Sequence, residues 1–211
     1  YGRAGVGLTG VQAITVEPGS TLTLRRETSS AAFTRIGLCG EGAGRLQVAA
    51  DGETWTVEFG EARCAVLFAD GSPGQVELRA LDGGLKLHDV RLTHVAPGVE
   101  LSGLGVVGAT LRDLASRDQA VVARELAAWR PALIVLAFGT NEGFEDGLDA
   151  RVYEGLLRGQ VTRLRRLAPG ASLMILGAPD ALRNGVVNGC SADGRRAPPP
   201  SLAVVRDVQR R

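Results

Sequence analysis

Lysine is almost missing from this chain. Lys86 is the only one, so arginine supplies nearly all of the positive charge. Lysine plus arginine number 24 against 23 acidic residues, a net charge of +1. That balance excludes the strong basic field of a nucleic-acid or anionic-membrane binder. The arginine pairs Arg165-Arg166 and Arg210-Arg211 read as solvated charge. No apolar run reaches the roughly 18 residues a membrane span needs. The opening YGRAGVGLTG has no apolar core segment, so it is not a signal peptide. Methionine occurs once, at Met174, and the chain does not begin with it. The end, SLAVVRDVQRR, reads as an amphipathic helix without a cap. We read the chain as a fragment of a longer protein. Aromatics make up only 4% of the residues, which leaves few platforms for stacking on sugars or bases. Three cysteines, Cys39, Cys64 and Cys190, fit no zinc spacing and no Cys-x-x-Cys pattern. Cys39 and Cys64 leave two readings open: a disulfide across a sandwich in an exported protein, or two buried small apolar side chains. Neither a metal nor an organic cofactor has support in the sequence.

What is there divides at about residue 97. Residues 1–97 read as β, with segments at 11–16, 21–26, 33–39, 45–50, 54–59, 63–68, 75–81 and 85–95. Most alternate apolar and polar residues, the period of a half-buried strand. Turn signals such as Pro18-Gly19, Asp51-Gly52 and Asp82-Gly83-Gly84 separate them. Eight short strands predict a jelly-roll-like β-sandwich. Residues 98–211 change period. VELSGLGVV (99–107) reads as a short strand, and 110–129 as a helix with a break near Ser116. PALIVLAFG (131–139) and ASLMILGAPD (171–180) are continuous apolar runs of the kind buried on both faces of a parallel sheet. A helix over 150–168 carries one stripe, Val152, Leu156, Leu157, Val161 and Leu164. A loop with Gly185, Gly189, Gly194 and Pro198-Pro199-Pro200 leads to a last helix from Ser201. Strand alternating with helix predicts a layered α/β domain, whose ligands sit at the carboxyl ends of the strands.

Gly139-Thr140-Asn141-Glu142 lies at one such end. Acyl transfer needs preorganised donors aimed at an oxyanion, commonly a backbone N–H and a side-chain amide. Asparagine donates without carrying charge, and a neighbouring glycine lets substrate approach the backbone. A second glycine-rich loop, GLGVVGAT (103–110), lies at another strand-to-helix junction and would offer the N–H of Gly108. Each loop alone is an ordinary turn; Asn141 alone can simply cap one. The two together point to an oxyanion site.

These residues carry a resemblance. Gly108 in its Gly-x-x-Gly-x-Thr-type loop, and Gly139, Asn141 and Glu142 in Gly-x-Asn-Asp/Glu, resemble two blocks of the SGNH, or GDSL-like, hydrolases. GVELSGLGVVGA, LIVLAFGTNEGF and GAPD look most like the bacterial peptidoglycan O-acetylesterases, and YGRAGVGLTG resembles the loop after their first block. The resemblance implies a three-layer α/β/α domain at 98–211 and a carbohydrate-binding-module-like β-sandwich at 1–97. It implies an exported, periplasmic or extracellular enzyme that removes acetyl groups from polysaccharide. It assigns Gly108 and Asn141 to the oxyanion hole, with Gly139, Thr140 and Glu142 in support. Glu142 either holds its loop through backbone hydrogen bonds or is a charge at the loop surface.

The chain also departs from that family. It has no Gly-Asp-Ser: Asp70-Gly71-Ser72 has the letters in another order, within a β-turn. It has no Asp-x-x-His, and the two histidines, His88 and His94, fall in the β half. The 211 residues thus hold an oxyanion half-site without nucleophile or base, and are expected to be inactive alone. Two other readings stand beside this one. In the first, the protein binds glycan through the β half, beside a non-catalytic remnant; exposed aromatics would favour it, and of Trp55 and Phe59, in one alternating strand, one is expected in the core. In the second, it is another acyl-ester hydrolase of the same fold.

Overall fold

The computed structural model describes residues 6–10, 14–26, 33–71, 73–95, 97–182 and 198–211. Ser72, Gly185, Gly189, Cys190 and Gly194 lie outside the described residues. In chain order the elements are β1 (Ile14–Val16), β2 (Thr21–Arg25), β3 (Arg35–Ala50), β4 (Glu53–Phe68), β5 (Gln75–Ala80) and β6 (Leu85–Thr93). There follow α1 (Leu111–Ala115), α2 (Gln119–Trp129), β7 (Leu133–Leu136), α3 (Thr140–Gly143), α4 (Ala150–Leu167), β8 (Ser172–Ile175) and α5 (Leu202–Arg210). They group into two compact units. One holds residues 3–104 and 117–128, the other residues 105–116 and 129–211.

The first unit is built on one hydrogen-bonded antiparallel sheet of order β1-β6-β3-β5-β2, with β4 also paired to β3. Two pairs of expected strands are single strands here. Residues 33–39 and 45–50 merge into β3, and 54–59 and 63–68 into β4. The glycines that read as a turn at 40–44 instead sit at register shifts, between Gly40 and Gly42 and between Gly42 and Arg45. A bulge absorbs extra residues without ending the ladder, so β3 continues through it. Its first half pairs with β6 and its second half with β5. The Asp51-Gly52 signal is a true hairpin, with both residues at positive φ (43° and 89°) and Ala50 opposite Glu53.

Alternation fixes which face is buried. Leu46 and Val48 of β3, Val57 and Phe59 of β4, Val76 and Leu78 of β5 and Leu85 and Leu87 of β6 join one core. Trp55 is partly buried against the same core, on the same face of β4 as Phe59. Neither ring of that pair is therefore an exposed platform. Cys39 and Cys64 lie opposite each other in the β3–β4 register and form a disulfide. His88 is buried and sits 3.6 Å from Glu41 through Nε2, whereas His94 is exposed just beyond β6.

The second unit combines a two-stranded parallel sheet, β7-β8, with α1, α3, α4 and α5, whereas residues 99–104 and all of α2 but Trp129 fall in the first unit. The expected break at Ser116 is real: Ser116 caps the end of α1, and Asp118 starts α2 by accepting the Ala120 and Val121 N–H groups. Two expectations fail, and a third, the α4 stripe, holds only at Leu157 and Leu164. Residues 99–107 form no strand, and Val99 and Leu101 are almost fully exposed. Alternation alone does not make a strand when no ladder partner lies beside it among the described residues. Leu133, Val135, Met174 and Ile175 are exposed, so β7 and β8 are not covered on both faces among those residues. The buried stripe of α4 is Tyr153, Leu157, Gln160 and Leu164, and Val152 faces solvent. That set keeps helical spacing but recruits an aromatic and an amide that an aliphatic-only reading passes over. No described helix is long and apolar enough to cross a membrane.

Candidate functional site

β7 runs out at Leu136, and three residues later the chain turns at Gly139 with φ 115°. A side chain there would have to displace its neighbours. A Cβ at Gly139 would lie 2.6 Å from Val205 Cγ1 and 2.8 Å from Gln209 Nε2. The short helix α3 starts directly, and its first turn carries Thr140, Asn141 and Glu142.

Glu142 is 3% exposed. Its Oε2 accepts the N–H of Gly139 at 3.0 Å, and its Oε1 accepts the N–H of Leu111 at 2.7 Å. The second bond reaches the other glycine-rich loop, because Leu111 opens α1. Asn141 adds a parallel link: its Nδ2 donates to the carbonyl of Ala109 at 2.7 Å. The 103–110 loop is shaped in turn by the Ala109 N–H on the Val106 carbonyl at 3.0 Å, with Gly108 at φ 79°. Thr110 and Asp113 close a capping box at the start of α1, the Thr110 N–H donating to Asp113 Oδ2 at 2.8 Å. Two loops about thirty residues apart in sequence are thus joined by two side chains of one tetrapeptide.

Asn141 and Gly108 are exposed, and Glu142 is buried behind them. An amide nitrogen carries two N–H donors. One of those of Asn141 is committed to Ala109, which fixes the rotamer and directs the other elsewhere. The Gly108 N–H has no hydrogen-bond partner among the described residues. The pair therefore offers donors of the kind that stabilise a developing negative charge, held by bonds that need no rearrangement during a reaction. No grouping of three or more His, Cys, Asp and Glu suited to a metal occurs among the described residues.

Sequence reasoning missed the residues that support this corner from α5. Gln209 Nε2 donates to the Phe138 carbonyl at 2.7 Å, and its Oε1 accepts the Ala178 N–H at 3.0 Å. One side chain so joins the segments that leave β7 and β8. The same nitrogen lies 3.2 Å from the Tyr153 hydroxyl. Burial, with the negative charge of Glu142 nearby, pushes the Tyr153 phenol up to about 12. Ser201 caps the arrangement: its Oγ donates to the Glu145 carbonyl at 2.6 Å and accepts the Leu148 N–H at 3.3 Å. Arg206 holds the GAPD segment through the Ala178 carbonyl at 2.9 Å and Asp180 at 2.7 Å. The available signal was a polar residue, Gln209, beside the apolar stripe Leu202, Val205 and Val208.

No known protein family matches the sequence, and no curated protein matches it either. Solved structures do match. A peptidoglycan O-acetylesterase superposes with a TM-score of 0.76 at 24% identity, over 99% of this chain and 57% of its own. A family-two carbohydrate esterase from Cellvibrio japonicus is similar at 16% identity over 81% of this chain and 72% of its own. Its TM-score is 0.31, too low to carry an argument. The chain spans a little over half the length of the O-acetylesterase whose fold it shares.

Proposed function

We propose that this chain is the larger part of a serine-dependent hydrolase that removes acetyl groups from a cell-wall or related polysaccharide. The observation that carries the reading is the pairing of Asn141 with the Gly108–Ala109 turn. It presents an uncharged amide and a backbone N–H from two loops at the end of a parallel strand. The likeness in fold to a peptidoglycan O-acetylesterase supports the same reading. In it, residues 98–211 belong to an SGNH-type α/β/α domain and residues 1–97 to a jelly-roll-like, carbohydrate-binding-module-like one. Asn141 Nδ2 and the Gly108 N–H bind the oxyanion of the tetrahedral intermediate, and Glu142 keeps the two loops in register.

The nucleophile and base are required from residues outside these 211, since neither Gly-Asp-Ser nor Asp-x-x-His occurs among them. The exposed apolar residues Leu133, Val135 and Met174 share one face of the β7-β8 pair and suit a parallel sheet whose second face is covered by a further layer. We place the Gly-Asp-Ser at the end of a further strand of that sheet. Export is part of the proposal, and the Cys39–Cys64 disulfide supports it, because such bonds persist in oxidising compartments.

Hydrolysis of an activated acetyl ester tests the assignment. The purified 211-residue chain should show no turnover. The longer reading frame that includes a Gly-Asp-Ser segment should release acetate from O-acetylated peptidoglycan. Turnover by the short chain that survives repurification and disappears in Asn141→Ala would sink the claim that its nucleophile lies elsewhere. A longer frame without any serine at a strand end would sink the esterase reading.

A further inference from the structure

Glu125 lies in the middle of α2, only 1% exposed, in the unit that contains the β-sheet. It faces the segment 6–10. Its Oε2 accepts the Leu8 N–H at 2.6 Å, while its Oε1 has no hydrogen-bond partner among the described residues. Gly7 packs against the same group so closely that a Cβ there would collide with the carboxyl. Two other bonds tie the segment among the described residues. The Asp118 N–H donates to the Val6 carbonyl at 2.9 Å, and the Thr9 hydroxyl reaches the His88 carbonyl at 3.5 Å. The charged groups that act on Glu125 are Asp89 and Arg91 of β6 and Arg124 of its own helix. Arg91 is already engaged by Asp89 at 2.9 Å.

A carboxyl with one donor and one unpartnered oxygen is tolerable when neutral and costly when charged. Glutamine would fill the same space and keep the acceptor for Leu8 with no charge to bury. We infer that Glu125 is a proton-operated latch. Neutral, it holds segment 6–10 on α2; ionised, it releases the segment so that water reaches the carboxylate. Burial pushes the Glu125 carboxyl up to about 7; the Leu8 N–H opposes this, Asp89 adds to it, and Arg91 and Arg124 oppose it. A carboxyl raised above its ordinary 4.5 binds its proton more tightly in the closed state than in the open one. The stabilisation that the protonated carboxyl gives to closure is therefore full below about 4.5 and is lost as pH rises through about 7. The latch is independent of which ester, if any, the protein cleaves.

Amide hydrogen exchange on the 211-residue chain tests this, with each rate divided by its intrinsic value at that pH. The protection of the Leu8 amide should fall by up to about tenfold per pH unit between 4.5 and about 7, then level off. Amides of the sheet core, such as Val48 and Leu78, should keep theirs. Glu125→Gln retains an acceptor and cannot ionise, so its Leu8 protection should be flat across the window. Gly7→Ala should lose protection at every pH, because the methyl displaces the carboxyl. A flat wild-type profile overturns the latch, as does the same slope in Glu125→Gln. If Glu125→Gln does not fold, a carbon-detected titration of the wild-type Glu125 carboxyl decides instead. A midpoint near 7 together with loss of Leu8 protection supports the latch, and a midpoint at or below 4.5 overturns it.

Discussion

Glu142 Oε1 accepts the Leu111 N–H at 2.7 Å while the other oxygen of the same carboxylate takes Gly139 N–H at 3.0 Å. One buried side chain thereby sets the spacing of two loops that share no sequence neighbourhood. Removing it leaves two buried N–H donors without acceptors. Glu142→Ala should cost roughly 2–4 kcal/mol, since each orphaned buried donor costs about 1–3 kcal/mol with partial relief by water. Glu142→Gln keeps one acceptor and turns an NH₂ toward the other donor, so it should cost about half as much. Urea unfolding of the second unit measures both, and a wild-type midpoint for Glu142→Ala would remove Glu142 from its bridging role.

Gly139 combines a left-handed φ of 115° with a packed surround of Val205, Gln209 and Ala178. Gly147 has φ 73° and open space around it. Alanine at Gly147 should cost only the backbone term, about 1–2 kcal/mol. Alanine at Gly139 should cost that amount plus the displacement of α5, about 1–3 kcal/mol more. Thermal unfolding of the two variants side by side checks the order. Equal losses would mean that α5 yields without penalty.

Asn141 is exposed, and its side chain makes one hydrogen bond, to Ala109. Asn141→Ala should therefore alter stability by no more than about 1 kcal/mol. In the complete hydrolase proposed above, the same change should lower kcat by roughly 10²–10³, with KM little changed, because the contact strengthens in the transition state. Steady-state kinetics on an acetylated substrate separate the two parameters. A rise in KM alone would make Asn141 a substrate-binding residue.

The Cys39–Cys64 bond closes a loop with a sequence separation of 25 inside the β3–β4 hairpin. Loop closure of that size restricts the unfolded chain by about 3 kcal/mol. Reductant, or Cys39→Ala with Cys64→Ala, should lower the unfolding midpoint of the sheet-bearing unit and leave the other unit's transition in place. A midpoint indifferent to reductant would show that the hairpin holds itself.

Sequence by itself determined the local rules of this protein. Alternation in QVELRA named a strand whose Val76, Leu78 and Ala80 are buried on one side, because a period of two leaves no choice of side once one face is apolar. Asp51-Gly52 named a hairpin, and the apolar run before Gly139-Thr140-Asn141-Glu142 named a strand ending in donors. Only the tertiary structure decided who meets whom. The ladder partners of β3 carried it through Gly40–Gly44, where local turn chemistry predicted a stop. For VELSGLGVV, with no ladder partner among the described residues, a strand-like pattern formed no strand. The α4 stripe turned to Tyr153 and Gln160 because burial there follows the packing of α1 and α5 against it and not aliphatic character. The pairing of Cys39 with Cys64, the reach of Glu142 to Leu111 and the bridge of Gln209 from Phe138 to Ala178 all join residues distant in sequence. A pattern of residue types carries period and polarity, but it carries no distance between segments, and those contacts depend on distance alone.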